Sequence, residues 1–169
     1  MKIYLVGFMG AGKSTYGKKL AVKMGYDFLD LDTMIEEKVG KSVYDIFNTD
    51  GEEFFRKTET EVLRSTANLD NVVISTGGGA PAHSENMDWM NQNGTTIYLK
   101  LFANKIFNRL WKAKVQRPTI EGMNQTELQA FIQDKLPWRA VEYIKADFII
   151  NPEGFLPKNL ADELKLVDA

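Results

Sequence analysis

Apolar positions along the chain fall into two alternating patterns. Ile3-Tyr4-Leu5-Val6, Val72-Val73-Ile74-Ser75-Thr76, Thr95-Thr96-Ile97-Tyr98-Leu99-Lys100-Leu101 and Asp147-Phe148-Ile149-Ile150 are short runs rich in β-branched and aromatic residues, the signature of strands buried on both faces. Tyr26-Asp27-Phe28-Leu29-Asp30-Leu31, just after Gly25, adds a fifth. Between the runs the period becomes helical: Tyr16, Leu20 and Met24 share one face of a helix over Lys13 to Met24, and Gly25 suits its left-handed end. Strand and helix signals alternate from end to end. This predicts a three-layer α/β/α fold, with a parallel sheet of about five strands covered on both faces and right-handed crossovers. In such sheets ligands bind beyond the carboxyl ends of the strands.

Two stretches interrupt the alternation. About forty residues separate Asp30 from Val72. A short helix through Ile35 and Val39 ends at Gly40, Ser42-Val43-Tyr44-Asp45 starts a second with the residues of a capping box, and Glu52 to Thr66 carries Phe55, Thr58 and Val62 on one stripe, with Phe54 and Leu63 one step round. This excursion, about 32–62, is expected to form a cap over the sheet edge. Ala113 to Asn124, holding Arg117-Pro118 and Gly122, has little periodicity and is expected to be a mobile lid, about 112–124, between two helices. With no repeat or linker, 1–169 reads as a single domain large enough for a proper core.

Composition narrows the partners. Hydrophobic residues at 44% and charged residues at 26% are ordinary for a soluble globular chain. A net charge of −2 argues against a broad nucleic-acid surface. The absence of cysteine excludes disulfides, thiolate metal sites and a cysteine nucleophile. No apolar run approaches the roughly 20 residues of a membrane span. The run after Met1-Lys2 stops at Gly7, so it reads as a strand and not as a secretory signal. A cytoplasmic monomer is the resulting expectation.

Gly7-Phe8-Met9-Gly10-Ala11-Gly12-Lys13-Ser14 matches G-x-x-x-x-G-K-[ST] between a strand and a helix. Glycines there let phosphate oxygens approach the backbone, and the helix start offers N–H groups and the positive end of its dipole. Lys13 supplies a charge for the β- and γ-phosphates and Ser14 a hydroxyl for Mg²⁺. Nucleoside triphosphate binding follows. At the end of the second strand stand Asp30-Leu31-Asp32. One carboxylate suits Mg²⁺ through water and the other a substrate hydroxyl; equally, Asp32 suits the cap of the next helix. Gly77-Gly78-Gly79 after a buried strand favours close backbone contact with a ligand. Arg117 beside Pro118 in the lid suits a transferring phosphate, and Arg56, flanked by Phe54 and Phe55, suits an anion at a partly buried site. Arg109 and Arg139 flank the lid. His83 reads as a cap or surface residue, Trp89, Trp111 and Trp138 as core or helix-packing residues, and Lys18, Lys19, Lys112 and Lys114 as solvated faces.

Taken in order, these residues resemble the shikimate kinases over nearly the whole chain. The matching stretches are Gly10-Ala11-Gly12-Lys13-Ser14-Thr15, Asp30-Leu31-Asp32, Asp45-Ile46-Phe47, Asp50-Gly51-Glu52, Phe55-Arg56-Lys57-Thr58-Glu59, Ser75-Thr76-Gly77-Gly78-Gly79-Ala80 and Arg117-Pro118. The resemblance implies a P-loop NTPase fold of the small nucleoside-monophosphate-kinase type with lid and substrate cap. It implies transfer of the γ-phosphoryl of ATP to the 3-hydroxyl of shikimate, toward chorismate and the aromatic amino acids. Gly10, Ala11, Gly12, Lys13, Ser14 and Thr15 would bind ATP phosphates, with Ser14 on Mg²⁺ and Asp30 reaching it through water. Asp32 would bind and orient or deprotonate the attacking hydroxyl. Arg56 and Arg139 would clamp the substrate carboxylate, and a backbone N–H within Gly77, Gly78 and Gly79 would hold a substrate oxygen. Arg117 would close on phosphate, and Arg109 would lie against adenine.

Two departures stand out. The family usually shows Arg-x-Pro-Leu-Tyr at the second clamp arginine, whereas Arg139-Ala140-Val141-Glu142-Tyr143 lacks the proline. The adenine-side contact after the last strand has no obvious counterpart in Asn151-Pro152-Glu153-Gly154. A gluconate kinase of the same fold is the nearest rival, and it would lack the paired arginines with Asp32 and the triple glycine in this order. A GTP switch would need Asn-Lys-x-Asp, which the chain does not contain.

Overall fold

The computed structural model describes residues 1–113 and 117–167. Residues 114–116, inside the expected lid and including Lys114, lie outside them. Five strands, β1 (Lys2–Val6), β2 (Asp27–Asp30), β3 (Val72–Ser75), β4 (Thr95–Leu99) and β5 (Phe148–Ile150), form one parallel sheet in the order β2-β3-β1-β4-β5. Register is set by Tyr4 beside Ile74 on one side and Thr96 on the other. Helices cover both faces, as the alternation of signals requires. They are α1 (Lys13–Met24), α2 (Leu31–Val39), α3 (Val43–Thr49), α4 (Gly51–Ser65), α5 (Asn86–Asn93), α6 (Ala103–Lys112), α7 (Gln125–Tyr143) and α8 (Pro157–Val167).

The period of two along β1 divides the core. Ile3 and Leu5 pack with Leu20 of α1 and Leu160 and Leu164 of α8. Tyr4 and Val6 face the other layer, with Val62 and Leu63 of α4 and Met87 and Met90 of α5. Burying each such side chain is worth about 1.5–3 kcal/mol, so the sheet is held from both faces. The Tyr4 hydroxyl is satisfied at 2.8 Å by Thr66 Oγ1. No helix among the described residues is long and apolar enough to cross a membrane.

Strand ends are shorter than their apolar runs: β4 stops at Leu99 and not Leu101, and β2 at Asp30 and not Leu31. The second difference has a clear cause. Asp30 is the cap of α2, its carboxylate accepting from the Asp32 N–H at 3.1 Å, so the helix begins two residues earlier than a cap at Asp32 would set and Asp32 is released from capping. Ser42 caps α3 by accepting from the Asp45 N–H, and Gly25 and Gly40 end α1 and α2 as expected. The chain leaves the sheet for α2, α3 and α4 before returning as β3.

Candidate active site

All five strands run the same way, so their C-terminal loops gather at one end. The loop after β1 enters α1 through Gly12, held at φ 92°, and no acidic residue occupies the first turn of that helix, which leaves its N–H groups and dipole for an anion. A cavity of about 330 Å³ lies over this turn, lined by Gly10, Gly12, Lys13, Ser14 and Thr15. Of the six P-loop residues expected there, Ala11 is not on the wall. It is fully buried in the core, with its N–H donated to the Phe8 carbonyl at 3.1 Å, because its methyl is what seats the loop on the sheet.

Lys13 is buried and donates to the carbonyls of Gly7 (2.7 Å) and Phe8 (3.0 Å). Burial lowers its pKa to about 8, with Asp32 opposing and Arg117 reinforcing the shift. Ser14 Oγ donates to Asp30 Oδ2 at 2.6 Å and lies 3.3 Å from Ser75 Oγ. A hydroxyl and a carboxylate in contact at the edge of a phosphate-sized cavity are the hard oxygen donors that Mg²⁺ accepts.

A second cavity, of about 670 Å³, adjoins the first. Met9, Asp32, Gly77, Gly78 and Arg117 line both. Asp32 and Arg117 therefore stand at the passage between two compartments. Burial, then the neighbouring Asp30, raises the Asp32 pKa above the ordinary carboxylate value. The larger cavity is walled by Arg56 from α4, Arg139 from α7, the triple-glycine loop and residues 42–45 of the cap, with Pro118 and Thr119 from the lid side. Tyr44 donates to Glu121 Oε1 at 2.9 Å, joining cap to lid over this space.

The two guanidinium groups are fixed by aromatic faces: Arg56 Cζ lies 5.2 Å from the Phe55 ring centroid and Arg139 Cζ 5.2 Å from that of Phe8. Nε of Arg117 and Nε and Nη1 of Arg139 are buried without a partner among the described residues. Buried donors are normally satisfied, so this concentration of unpaired N–H groups fits a ligand rich in acceptor oxygens. Glycine at 79 is a matter of space. A Cβ there would sit 2.5 Å from Arg56 Nη2, and one at Gly77 would sit 2.6 Å from Glu59 Oε2.

Several participants escaped sequence reading. Glu59, three residues after Arg56, pairs with it at 2.9 Å; the i,i+3 spacing on one helix was the available signal. Ser75 stands just before the triple glycine, and Met9 occupies an unconstrained P-loop position, which gave no signal at all. Arg109 Nη1 donates to the carbonyls of Gly10 (3.3 Å) and Ala11 (3.2 Å), while Nη2 reaches Glu153 Oε1 at 3.1 Å. In the loop after the last strand, Glu153 lines a further cavity of about 490 Å³ with Lys105 and Arg109. The missing proline near Arg139 has a structural counterpart: α7 runs unbroken through Val141 to Tyr143. His83 does not cap α5, whose N-cap is Glu85; its backbone N–H closes the short turn Ala80–Ala82 on the Ala80 carbonyl, and its ring meets Trp138 edge-on, with centroids 6.2 Å apart. Trp89 packs on the core, but Trp111 and Trp138 are exposed.

Comparison with known proteins agrees with this geometry. A family model described as shikimate kinase matches residues 9–165. The shikimate kinase of Bacteroides thetaiotaomicron is 44% identical over 153 residues, 90% of this chain and 87% of the relative. That of Parabacteroides distasonis is 44% identical over 158 residues, 94% and 91% of the two chains. The crystal structure of the Bacteroides thetaiotaomicron enzyme superposes with a TM-score of 0.89 at 40% identity, covering 100% of this chain and 99% of the other. Shikimate kinase from Acinetobacter baumannii in complex with shikimate gives 0.81 at 33%, covering 99% and 92%. Deoxyadenosine kinase from M. mycoides, at 14% identity and a TM-score of 0.61 over the full length of both chains, shares the fold alone.

Proposed function

The chain belongs to the shikimate kinase family, and from that premise we propose how its site transfers the γ-phosphoryl group of ATP to the 3-hydroxyl of shikimate, giving shikimate 3-phosphate and ADP. The observation that carries the proposal is the sharing of Asp32 and Arg117 by two adjoining cavities. One cavity is floored by a helix N-terminus and a P-loop lysine, as a triphosphate requires. The other presents guanidinium groups to a small hydroxylated acid. A phosphoryl group passing between them must cross that boundary.

The ATP phosphates lie along Gly10, Gly12, Lys13, Ser14 and Thr15, with Ala11 shaping the loop from beneath. Arg109 flanks the adenine side. Ser14 and, through water, Asp30 would hold Mg²⁺, which when bound supplies positive charge against the phosphate oxygens. Lys13 and Arg117 neutralise charge that spreads over the transferring group. Phosphate beside Lys13 also opposes the burial that lowers its pKa, so the lysine is fully charged when it acts.

Shikimate lies in the larger cavity. Arg56 and Arg139 grip its carboxylate, and free N–H groups in Gly77–Gly79 meet another oxygen. Asp32 accepts a hydrogen bond from the attacking hydroxyl, and its raised pKa suits it to take the proton as the O–P bond forms. A neutral sugar would leave the buried Nε and Nη1 of Arg139 unpaired, a penalty of several kcal/mol, so selection for an acid follows from the clamp. Residues about 32–62 act as cap and about 112–124 as lid of a single domain. The enzyme works as a cytoplasmic monomer, which size-exclusion chromatography and cell fractionation test.

A coupled ADP-release assay comparing shikimate with gluconate and nucleoside monophosphates tests the reading. Turnover confined to shikimate is expected; preference for either alternative overturns it.

A further inference from the structure

Tyr143 ends α7 one turn after Arg139 and is fully buried. Its hydroxyl donates to the Gly78 carbonyl. The Arg139 guanidinium charge acts on the same phenol, as i,i+4 spacing on one helix face allows, while its Nε and Nη1 stay unpartnered among the described residues. The ring is held from the core side by Tyr98, with centroids 5.0 Å apart. Burial raises the phenol pKa, so the hydroxyl stays protonated and remains a donor.

Gly78 is confined on its other side by the P-loop: a Cβ there would lie 2.9 Å from the Met9 nitrogen. No peptide among the described residues is cis, so the Gly78 carbonyl and the Gly79 N–H of the same peptide point in opposite directions. Fixing the carbonyl fixes the donor. Among the described residues no acceptor takes the N–H of Gly78 or Gly79, and both glycines line the larger cavity. A buried tyrosine that needs only a partner can use any carbonyl. This one holds two separate walls of one cavity, α7 and the loop after β3.

We propose that Tyr143 is a positioning residue for substrate recognition. Its hydroxyl sets the Gly78–Gly79 peptide beside the Arg139 guanidinium one helical turn away, so that a charged donor and a backbone donor meet the same small acid. The proposal rests on the reading of this cavity as the acceptor site.

Tyr143→Phe keeps the ring and its packing and removes only the hydroxyl. The KM for shikimate should rise about tenfold, with kcat and the KM for ATP within about twofold, the pattern of lost binding and not of lost chemistry. Calorimetric titration with shikimate at low temperature, where the variant keeps its fold, should give the same ratio. In an Arg139→Ala background the same substitution should add much less than tenfold, because the two residues act as a unit. An unchanged shikimate KM, a parallel rise for both substrates, or fully multiplicative effects overturn the role of Tyr143. Wild-type enzyme that ignores shikimate overturns the acceptor-site reading and this proposal with it; active wild type with an indifferent Tyr143→Phe overturns the tyrosine alone.

Discussion

Arg56 and Glu59, one turn apart on α4, share a 2.9 Å ion pair in which the glutamate is 0% exposed, with its second oxygen unpaired among the described residues. Burial lifts the Glu59 carboxyl from 4.5 to about 7 against the pull of Arg56. The folded protein therefore holds a proton that the unfolded chain releases earlier. The stability this contributes is complete below about pH 4.5 and is lost as pH rises through about 7. Glu59→Gln removes this term. The difference in unfolding free energy between wild type and variant should change across that window by up to about 3 kcal/mol. Denaturant titrations at several pH values measure it, and a pH-independent difference would count against a titrating Glu59.

Gly79→Ala tests the packing behind the clamp. The new methyl would meet the Arg56 guanidinium at 2.5 to 2.8 Å, so the side chain must move while the backbone, which lies at φ −91°, accepts alanine without strain. The expected outcome is a shikimate KM raised at least tenfold with the thermal midpoint nearly unchanged. A variant that binds shikimate normally would show that Arg56 is not held where the carboxylate needs it.

Lys13→Met separates function from stability. With its folded pKa lowered to about 8 from 10.5, the unfolded chain binds more protons between those values, so stability rises with pH through that window and the full cost of the buried charge applies at pH 7. That cost, up to about 3 kcal/mol, is offset by two hydrogen bonds worth about 1 kcal/mol each. The variant should melt no earlier than wild type and lose about 10³-fold or more in turnover. Differential scanning calorimetry beside the ADP-release assay reads both; retained turnover would remove Lys13 from the phosphate site.

The sheet, the P-loop and the triple glycine were legible because each is written locally, in strand period, glycine spacing and adjacency to an apolar run. Gly25 and Gly40 marked helix ends for the same reason. What escaped was set by competition or by distance. Asp30 and Asp32 each suit a helix cap, and only the fold decides that Asp30 takes it and leaves Asp32 facing both cavities. Glu153 and Arg109 are far apart in sequence, so no periodicity links them. Tyr143 was visible as a letter four places from Arg139, but its partner is a carbonyl, and backbone groups have no sequence signature.

The Arg109–Glu153 pair gives a graded prediction on the nucleotide side. Arg109 is tied to the P-loop by two carbonyls and to the loop after β5 by one carboxylate. Loss of Glu153 leaves the first tie intact, while loss of Arg109 removes both. The ion pair is partly exposed at both ends, so it is weak and screened by salt. Glu153→Gln should raise the KM for ATP about two- to fivefold at low ionic strength, with the difference from wild type shrinking as salt is added. Arg109→Ala should raise it about tenfold or more, and neither should move the KM for shikimate, since neither residue lines the larger cavity. Initial-rate measurements with each substrate varied in turn resolve the two effects. Should Glu153→Gln exceed Arg109→Ala, or should shikimate binding change with either, the strut would serve the acceptor site or the fold and not the nucleotide.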